Sequence, residues 1–537
     1  MHRLSFLALL GCVDKPDSHP TPGPVDSGVV DTGEPEATPE CAPWTASVQQ
    51  EWDATDLVGA AQLPEFGGNA GVGLGDLDAD GWLDAVVVTP VGSMPLHNDG
   101  TGTLRMETDW VGGTWPAATG IAMADVDGDG DLDAWLGRMT GLSDLLLIND
   151  GTGKMTQTEI SSSTTESYSG SFMDIDADGD LDLFVAGYTD APDIDAVVDG
   201  TLVGSGNAIY LNEDGEFVLQ PEALPAEVVD DITFHGQWLD ANQDGHFDLY
   251  LASDFGPFLG RNRLVLGDGL GGFSLADDCA CDLAMFGMGV AVGDANGDGL
   301  QDLYVTDLDG PNLLLGEGDA RFFDGSLSYA AHIADDGRHL ASWGTAFVDL
   351  DGNGWQDLPI VFGRVNPNEA PESFQELGEA YEGWLDNPGQ QDVLLMHSGL
   401  AYEDVSSASG FEHDGDGRAL AVGDFDNDGR PDLLTAGMWF ARHVRGEGGC
   451  EERITLSLHD EGLQQGLGAR ILAVVDGREQ TMWMLPSTTW SSSEHAQWLG
   501  LAGAERADRI EVHWPGGAVS SWSDVPAGSH LQLTPDL

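Results

Sequence analysis

The sequence predicts an all-β fold: a seven-bladed β-propeller followed by a small C-terminal β-domain. Three observations carry that prediction. A nine-residue pattern, Asp-x-Asp/Asn-x-Asp/Asn-Gly-x-x-Asp, occurs seven times in the 537-residue chain. Each copy stands between short apolar, β-prone runs rather than helices. Successive copies begin about 50 to 75 residues apart, which suits one four-stranded unit per copy.

Taken in chain order, residues 1–12 read as a lipoprotein-type signal peptide. Met1-His2-Arg3 is followed by an apolar run from Leu4 to Leu10 and then by Gly11 and Cys12. Leu9-Leu10-Gly11-Cys12 resembles the bacterial lipobox, which implies acylation of Cys12 after cleavage. Residues 13–43, rich in Pro, Asp, Ser, Thr and Gly, lack the large apolar side chains of a core and are expected to be a flexible tether. No later run approaches the roughly 20 apolar residues of a membrane-spanning helix.

The chain has 19 basic and 93 acidic residues, a formal net charge of -74. Nucleic acid is thereby excluded as a partner, because phosphate binding needs basic patches. Self-repulsion on this scale opposes a compact state unless cations relieve it. The hydrophobic fraction of 41% is nevertheless enough for a sizeable core.

Residues 44–450 hold the repeats. The first loop is Asp76, Asp78, Asp80, Gly81, Asp84; the second is Asp125, Asp127, Asp129, Gly130, Asp133; the third is Asp174, Asp176, Asp178, Gly179, Asp182. The fourth is Asp240, Asn242, Asp244, Gly245, Asp248, and the fifth is Asp294, Asn296, Asp298, Gly299, Asp302. The sixth is Asp349, Asp351, Asn353, Gly354, Asp357, and the seventh is Asp424, Asp426, Asp428, Gly429, Asp432. Alternate residues of a tight loop aim their oxygens at one centre, which suits a hard cation with six to eight oxygen ligands. Positions 1, 3, 5 and 9 supply side-chain oxygens, and Gly at position 6 permits a turn at positive φ. Position 7 supplies a backbone carbonyl, so its side chain is free to vary: Trp82, Asp131, Asp180, His246, Leu300, Trp355 and Arg430. Magnesium demands a stricter octahedron, so the expected cofactor is Ca²⁺, up to seven per chain. The three Asn substitutions, in loops four to six, lower the local charge.

An EF-hand would need flanking helices and a Glu at position 12. Here the loops lead instead into Ala85-Val86-Val87-Val88, Leu183-Phe184-Val185 and Leu249-Tyr250-Leu251. They follow small-residue runs such as Gly71-Val72-Gly73-Leu74, Gly120-Ile121-Ala122-Met123 and Gly289-Val290-Ala291-Val292, suited to close packing near an axis. Asn98-Asp99-Gly100, Asn149-Asp150-Gly151 and Glu213-Asp214-Gly215 supply hairpin turns farther on. Two insertions are expected, near 190–206 and 365–391, and the second has helix-like apolar spacing over 369–385. Together these features resemble FG-GAP/VCBS repeats, the calcium-bearing blades of integrin α-subunit propellers and of many bacterial surface proteins. The resemblance implies a calcium loop in every blade.

Residues 451–537 carry no further loop. Gly466-Leu467-Gly468-Ala469-Arg470-Ile471 and Ile510-Glu511-Val512-His513-Trp514-Pro515-Gly516-Gly517 are short strands with Gly/Pro turns. Their order resembles the ASPIC/UnbV domain that follows VCBS repeats in the cartilage acidic protein family and its bacterial relatives. The family pattern ends Trp-Pro-Ser-Gly, whereas this chain has Gly at the third place.

If Cys12 is acylated, Cys41, Cys279, Cys281 and Cys450 remain, and export permits disulfides. Three pairings are open. A bond between Cys41 and Cys450 would clamp the ends of the repeat region. Cys279 and Cys281 stand too close for an unstrained bridge yet can pair; a metal site is the weaker alternative.

No Gly-x-Ser-x-Gly, His-Glu-x-x-His or phosphate-loop motif occurs, so no catalytic residue is assigned. The best local cluster, His332 and His339 near Asp335 and Asp336, reads as an exposed turn. The expected function is a calcium-binding cell-surface binding or adhesion module for an extracellular protein or glycan. The alternative is a calcium-stabilised propeller hydrolase or lyase with a central cleft, acting on an extracellular polymer; a third option is a purely structural envelope component. Expected localisation is the bacterial cell envelope, as an outer-membrane or cell-surface lipoprotein. Membrane contact is expected only through the lipid, and the protein is expected to be a monomer.

Overall fold

The structure, a computed structural model, describes residues 41–53, 69–139, 141–160, 166–189, 196–197, 199–213, 215–308, 310–333, 340–364, 390–437, 439–459, 466–485 and 489–535. The signal segment, Cys12, the tether up to residue 40, the stretch 369–385, Asp335, Asp336 and His339 lie outside the described residues.

Seven four-stranded antiparallel sheets account for the described part of residues 42–449. Blade 1 consists of Gly71–Gly75, Asp84–Thr89, Gly92–Asn98 and Leu104–Met106. Blades 2 to 6 repeat this order outward from Ala118–Ala124, Ser167–Met173, Thr233–Leu239, Val290–Gly293 and Ser342–Thr345. Each acidic loop joins the first strand of its blade to the second, so the loops gather at one end of the ring. The innermost strands pack on one another in chain order, and that of blade 7, Gly417–Gly423, packs on that of blade 1. Closure leaves no open edge at the seam.

The seam is made from both ends of the repeat region. Blade 7 takes three strands from residues 417–449, and its outermost strand is Ala42–Asp53. This strand starts two residues inside the stretch read as tether, because Ala42 pairs with Gly449. Cys41 and Cys450 are joined at the same place. Cys279 and Cys281 are bonded to each other despite their proximity, and both are buried.

Two further sheets follow. Arg453–Leu458 lies between Ala496–Gly500 and Ser529–Leu533, and Arg470–Val475 lies between Arg478–Trp483 and Arg506–His513, with Val519–Pro526 outside. Ile454, Leu456, Ile471, Ala473, Ile510, Val512 and Trp514 fill the space between them, as alternate inward positions of facing strands do.

From this domain the segment Thr489–His495 enters the ring of innermost strands. Ser492 N–H donates to Val72 O (2.8 Å) and Leu74 N–H to Ser492 O (3.0 Å). Glu494 N–H donates to Val422 O (2.9 Å), and Trp490 Nε1–H to Phe234 O (2.9 Å). The Trp490 ring packs on Phe234 and Trp343, with centroids 5.7 and 5.6 Å away. Small residues make room for it: a methyl group on Gly71 would collide with the Trp490 carbonyl, and one on Gly289 with the Thr489 hydroxyl. The centre of the propeller is therefore filled by the chain itself.

Candidate metal centres

One hydrogen-bond scheme recurs in all seven loops. A position 1 carboxylate oxygen accepts the N–H of the position 6 glycine at 2.7–3.3 Å, from Asp76 and Gly81 through Asp424 and Gly429. The position 5 oxygen accepts the N–H of position 7 at 2.7–3.0 Å. These are turns in which a short side chain replaces a backbone acceptor. The glycines sit at φ between 80° and 103°, which only glycine adopts without strain. Position 4 is left-handed too, even where it is Ala79, Ala177, Gln243 or Asn427.

Position 9 does more than close the loop. In six loops one oxygen accepts the position 2 N–H at 2.8–3.1 Å. In all seven the other oxygen accepts an N–H from the blade's third strand at 2.8–3.4 Å. The aspartate thus ties the loop to the sheet.

Burial raises the proton affinity of these carboxyls, and the backbone N–H donors only partly oppose it. Asp84 is pushed up to about 8, and Asp133, Asp182 and Asp248 to about 7. Burial also lifts Asp302 and Asp357 well above the usual carboxylate range. Neighbouring carboxylates add to the rise. In loops 1, 2, 3 and 6, positions 1, 3 and 9 each bring an oxygen within 4.8 Å of the others. Asp78 Oδ1, Asp176 Oδ1 and Asp426 Oδ1 are shielded from solvent and accept no hydrogen bond. An all-oxygen donor set with orphaned, buried carboxylate oxygens fits a divalent cation, and these Asp-rich groups can hold one.

The loops are not equivalent. In loops 4 and 5 the position 3 Asn donates to the position 5 Asp, 2.9 Å in each case. In loop 6 the position 5 residue, Asn353, turns its Nδ2 to His397 O instead (2.9 Å). Loop 6 lies under the C-terminal domain: Arg453 donates to Asp349 O (2.8 Å) and Leu350 O (2.6 Å), and Ala502 N–H to Gly352 O (2.9 Å). Arg478 donates to Asn353 O (3.1 Å) while covering the Trp355 ring at 5.0 Å. Loop 7 already has a cation, since Arg445 contacts Asp426 and donates to Asp428 Oδ2 (2.7 Å). The position 7 residues donate their backbone N–H to position 5 in the same way in all seven loops; Trp355 alone among them stacks on a histidine, His397, at 4.9 Å among the described residues.

Several functional residues escaped the sequence reading. Asn98, Asn149 and Asn212 each donate Nδ2 to the position 2 carbonyl of the preceding blade's loop, at Phe425, Leu77 and Val126 (2.9, 2.9 and 3.2 Å). The only signal was an Asn beside a turn. Gln301 and Gln356, at position 8, accept the position 1 N–H of Asp240 and Asp294 at 2.7 and 2.9 Å. For Asp424 that acceptor is Glu494 of the inserted segment, at 2.8 Å. Burial raises Glu494 to about 8, with Asp424 adding to the rise.

His332 is exposed and its expected partners fall outside the described residues. A central cleft, the feature the enzymatic alternative requires, is occupied by Thr489–His495. Beside it lies a cavity of about 100 Å³ lined by polar and apolar side chains in similar measure, among them Gln237, Asp294, Phe347, Arg478, Met482 and Glu494.

Models of known protein families agree with the repeats and the C-terminal domain. A model of the FG-GAP-like repeat matches residues 76–136 and 240–305, and one of the FG-GAP repeat matches 417–448. A model of the ASPIC and UnbV domain matches 460–536. No curated protein matches the chain. Among solved structures, an Agrocybe aegerita lectin that recognises non-reducing terminal N-acetylglucosamine matches at 14% identity and a TM-score of 0.38, over 84% of this chain and 98% of the lectin. BBS1N, solved in complex with ARL6DN, matches at 9% identity and 0.40, over 75% and 96%. The V. cholerae biofilm matrix protein Bap1 matches at 11% and 0.32, over 90% of this chain and 62% of Bap1.

Proposed function

We propose, for a chain built of FG-GAP repeats and closed by an ASPIC and UnbV domain, that it is an exported calcium-binding propeller whose exposed surface binds an extracellular protein or glycan. The observation that carries the calcium reading is the sevenfold recurrence of one loop geometry with buried carboxylate oxygens. Calcium would be held by the side chains of positions 1, 3, 5 and 9 and the carbonyl of position 7. When bound it neutralises the clustered charge and stiffens the blade ends. The C-terminal domain covers loops 5 and 6 and fills the channel, so a partner has the opposite face and the outer rim available to it. Among the described residues no helix is long and apolar enough to cross a membrane. Attachment to the envelope is proposed to run through acylated Cys12.

Removing calcium with EGTA is expected to lower the melting temperature sharply, with recovery on readdition; an unchanged melt would sink the calcium reading. A glycan and envelope-protein binding screen, run with and without calcium, tests the binding role. Replacing Cys12 with Ser is expected to abolish labelling by radioactive palmitate and release the protein from membranes.

A further inference from the structure

Blade 1 differs from the other blades at one position above its loop. On the third strand, the residue after the partner of the first post-loop position lies over its loop. Strand register puts Ile148, Leu211, Leu266, Leu315, Met396 and Arg445 there in blades 2 to 7, and His97 in blade 1. At this position six blades thus offer hydrocarbon, a thioether or a competing cation, and blade 1 an imidazole; blade 7 has an imidazole elsewhere, His443, whose Nε2 meets the position 9 carboxylate of Asp432 at 3.3 Å while Arg445 already neutralises that loop.

The imidazole is placed as a ligand. Its Nε2 lies 3.2 Å from Asp78 Oδ2. Both Nε2 and Asp78 Oδ1 are shielded from solvent and make no hydrogen bond. Asp78, Asp80 and His97 each present a donor atom within 4.8 Å of the others, and Asp76, Asp78 and Asp84 do the same. The ring is held from behind: it stacks on Trp110 with centroids 4.6 Å apart and planes 26° apart, and Nδ1 faces Glu107 Oε2 at 3.7 Å. At 3.7 Å Glu107 lies beyond hydrogen-bond distance and acts on the ring through its charge, which favours a cation on the Nε2 side. Calcium takes oxygen ligands almost exclusively, whereas imidazole suits zinc, cobalt, copper and nickel.

We propose that the blade 1 loop is a mixed nitrogen–oxygen site that takes a divalent first-row transition ion through Asp78, Asp80 and His97 Nε2 in preference to calcium. The proposal rests on the reading of these loops as cation sites and assigns one of them a different ion. Glu107 and Trp110 act as positioning residues. The three side chains keep donor atoms within 4.8 Å of one another, and stacking on Trp110 already restricts the imidazole.

The test uses the full chain held in excess calcium and titrated with Co²⁺, whose visible absorption reports the geometry of its site, with Zn²⁺ as competitor and bound metal counted after dialysis. One Co²⁺ per chain is expected, displaced by Zn²⁺. His97→Leu, which restores the apolar residue of the other blades, is expected to weaken Co²⁺ binding at least ~10-fold while the calcium-dependent melting shift persists. Glu107→Gln is expected to weaken Co²⁺ binding less and to leave the calcium shift unchanged. Calcium binding with no cobalt uptake overturns this proposal alone, as does cobalt uptake indifferent to His97→Leu. Cobalt uptake sensitive to His97 without any calcium-dependent melting shift supports this site and overturns the calcium reading instead.

Discussion

At the scale of single residues, the loops set proton against metal. Burial raises the position 9 carboxyls, Asp84 to about 8 and Asp133, Asp182 and Asp248 to about 7. In the unfolded chain these groups titrate near 4. Between about pH 4 and 8 the metal-free folded state binds more protons than the unfolded state, so its stability falls as pH rises. Calcium holds the same groups deprotonated and reverses that dependence. The melting temperature without calcium is therefore expected to be higher at pH 5 than at pH 8, and the gain on adding calcium to be larger at pH 8. Scanning calorimetry at the two pH values, with calcium and with EGTA, checks both signs. A second residue-scale expectation concerns Asn149, which is buried and donates to Leu77 O in the preceding blade's loop and to Leu132 O in its own. Asn149→Ala leaves both carbonyls without that donor and is expected to cost about 1–3 kcal/mol, read from the urea midpoint.

At the scale of elements, the blades were legible in sequence, and their seam only through Cys41 and Cys450, whose bond was one of the open pairings. A nine-residue loop with strand-like flanks reports local chemistry that one segment contains entirely. Gly81 at positive φ and the Asp76 bond to it are of that kind. The outermost strand of blade 7 is different. Ala42–Asp53 carries no loop, and its exposure alternates loosely, so only its pairing with Phe440–Gly449 makes it a strand of that blade. The Cys41–Cys450 bond secures this pairing across 409 residues of sequence. Replacing both cysteines with serine is expected to destabilise the chain by about 2–5 kcal/mol. The loss should be local in its first effect: amide exchange is expected to quicken in residues 42–53 before it does in the innermost strands. Uniform quickening across all blades would contradict a seam role.

At the scale of the whole molecule, the C-terminal domain completes the propeller. Its inserted segment supplies hydrogen bonds to the innermost strands of blades 1, 2, 4 and 7, and its arginines reach loop backbone in blades 5 and 6. Docking of the domain and occupancy of the loops should therefore stabilise each other. Trp490 is 1% exposed and contacts Phe234 and Trp343 across the channel. Trp490→Ala is expected to cost about 3–5 kcal/mol and to make the 460–535 region the first target of limited proteolysis. Unchanged denaturation and cleavage patterns would mean that the insertion is incidental to stability.

The sequence by itself determined the loops, the strands beside them, the number of blades and the kind of ion they suit. All of these depend on residues within about ten positions of one another, where turn geometry and donor chemistry are set locally. Tertiary structure alone decided the seam strand, the Asn and Gln contacts that carry one blade's loop to the next, and the imidazole over loop 1. It also decided that Thr489–His495 runs into the channel. Those features join residues tens to hundreds of positions apart, and such contacts leave no periodic or compositional trace in either partner's own stretch of chain.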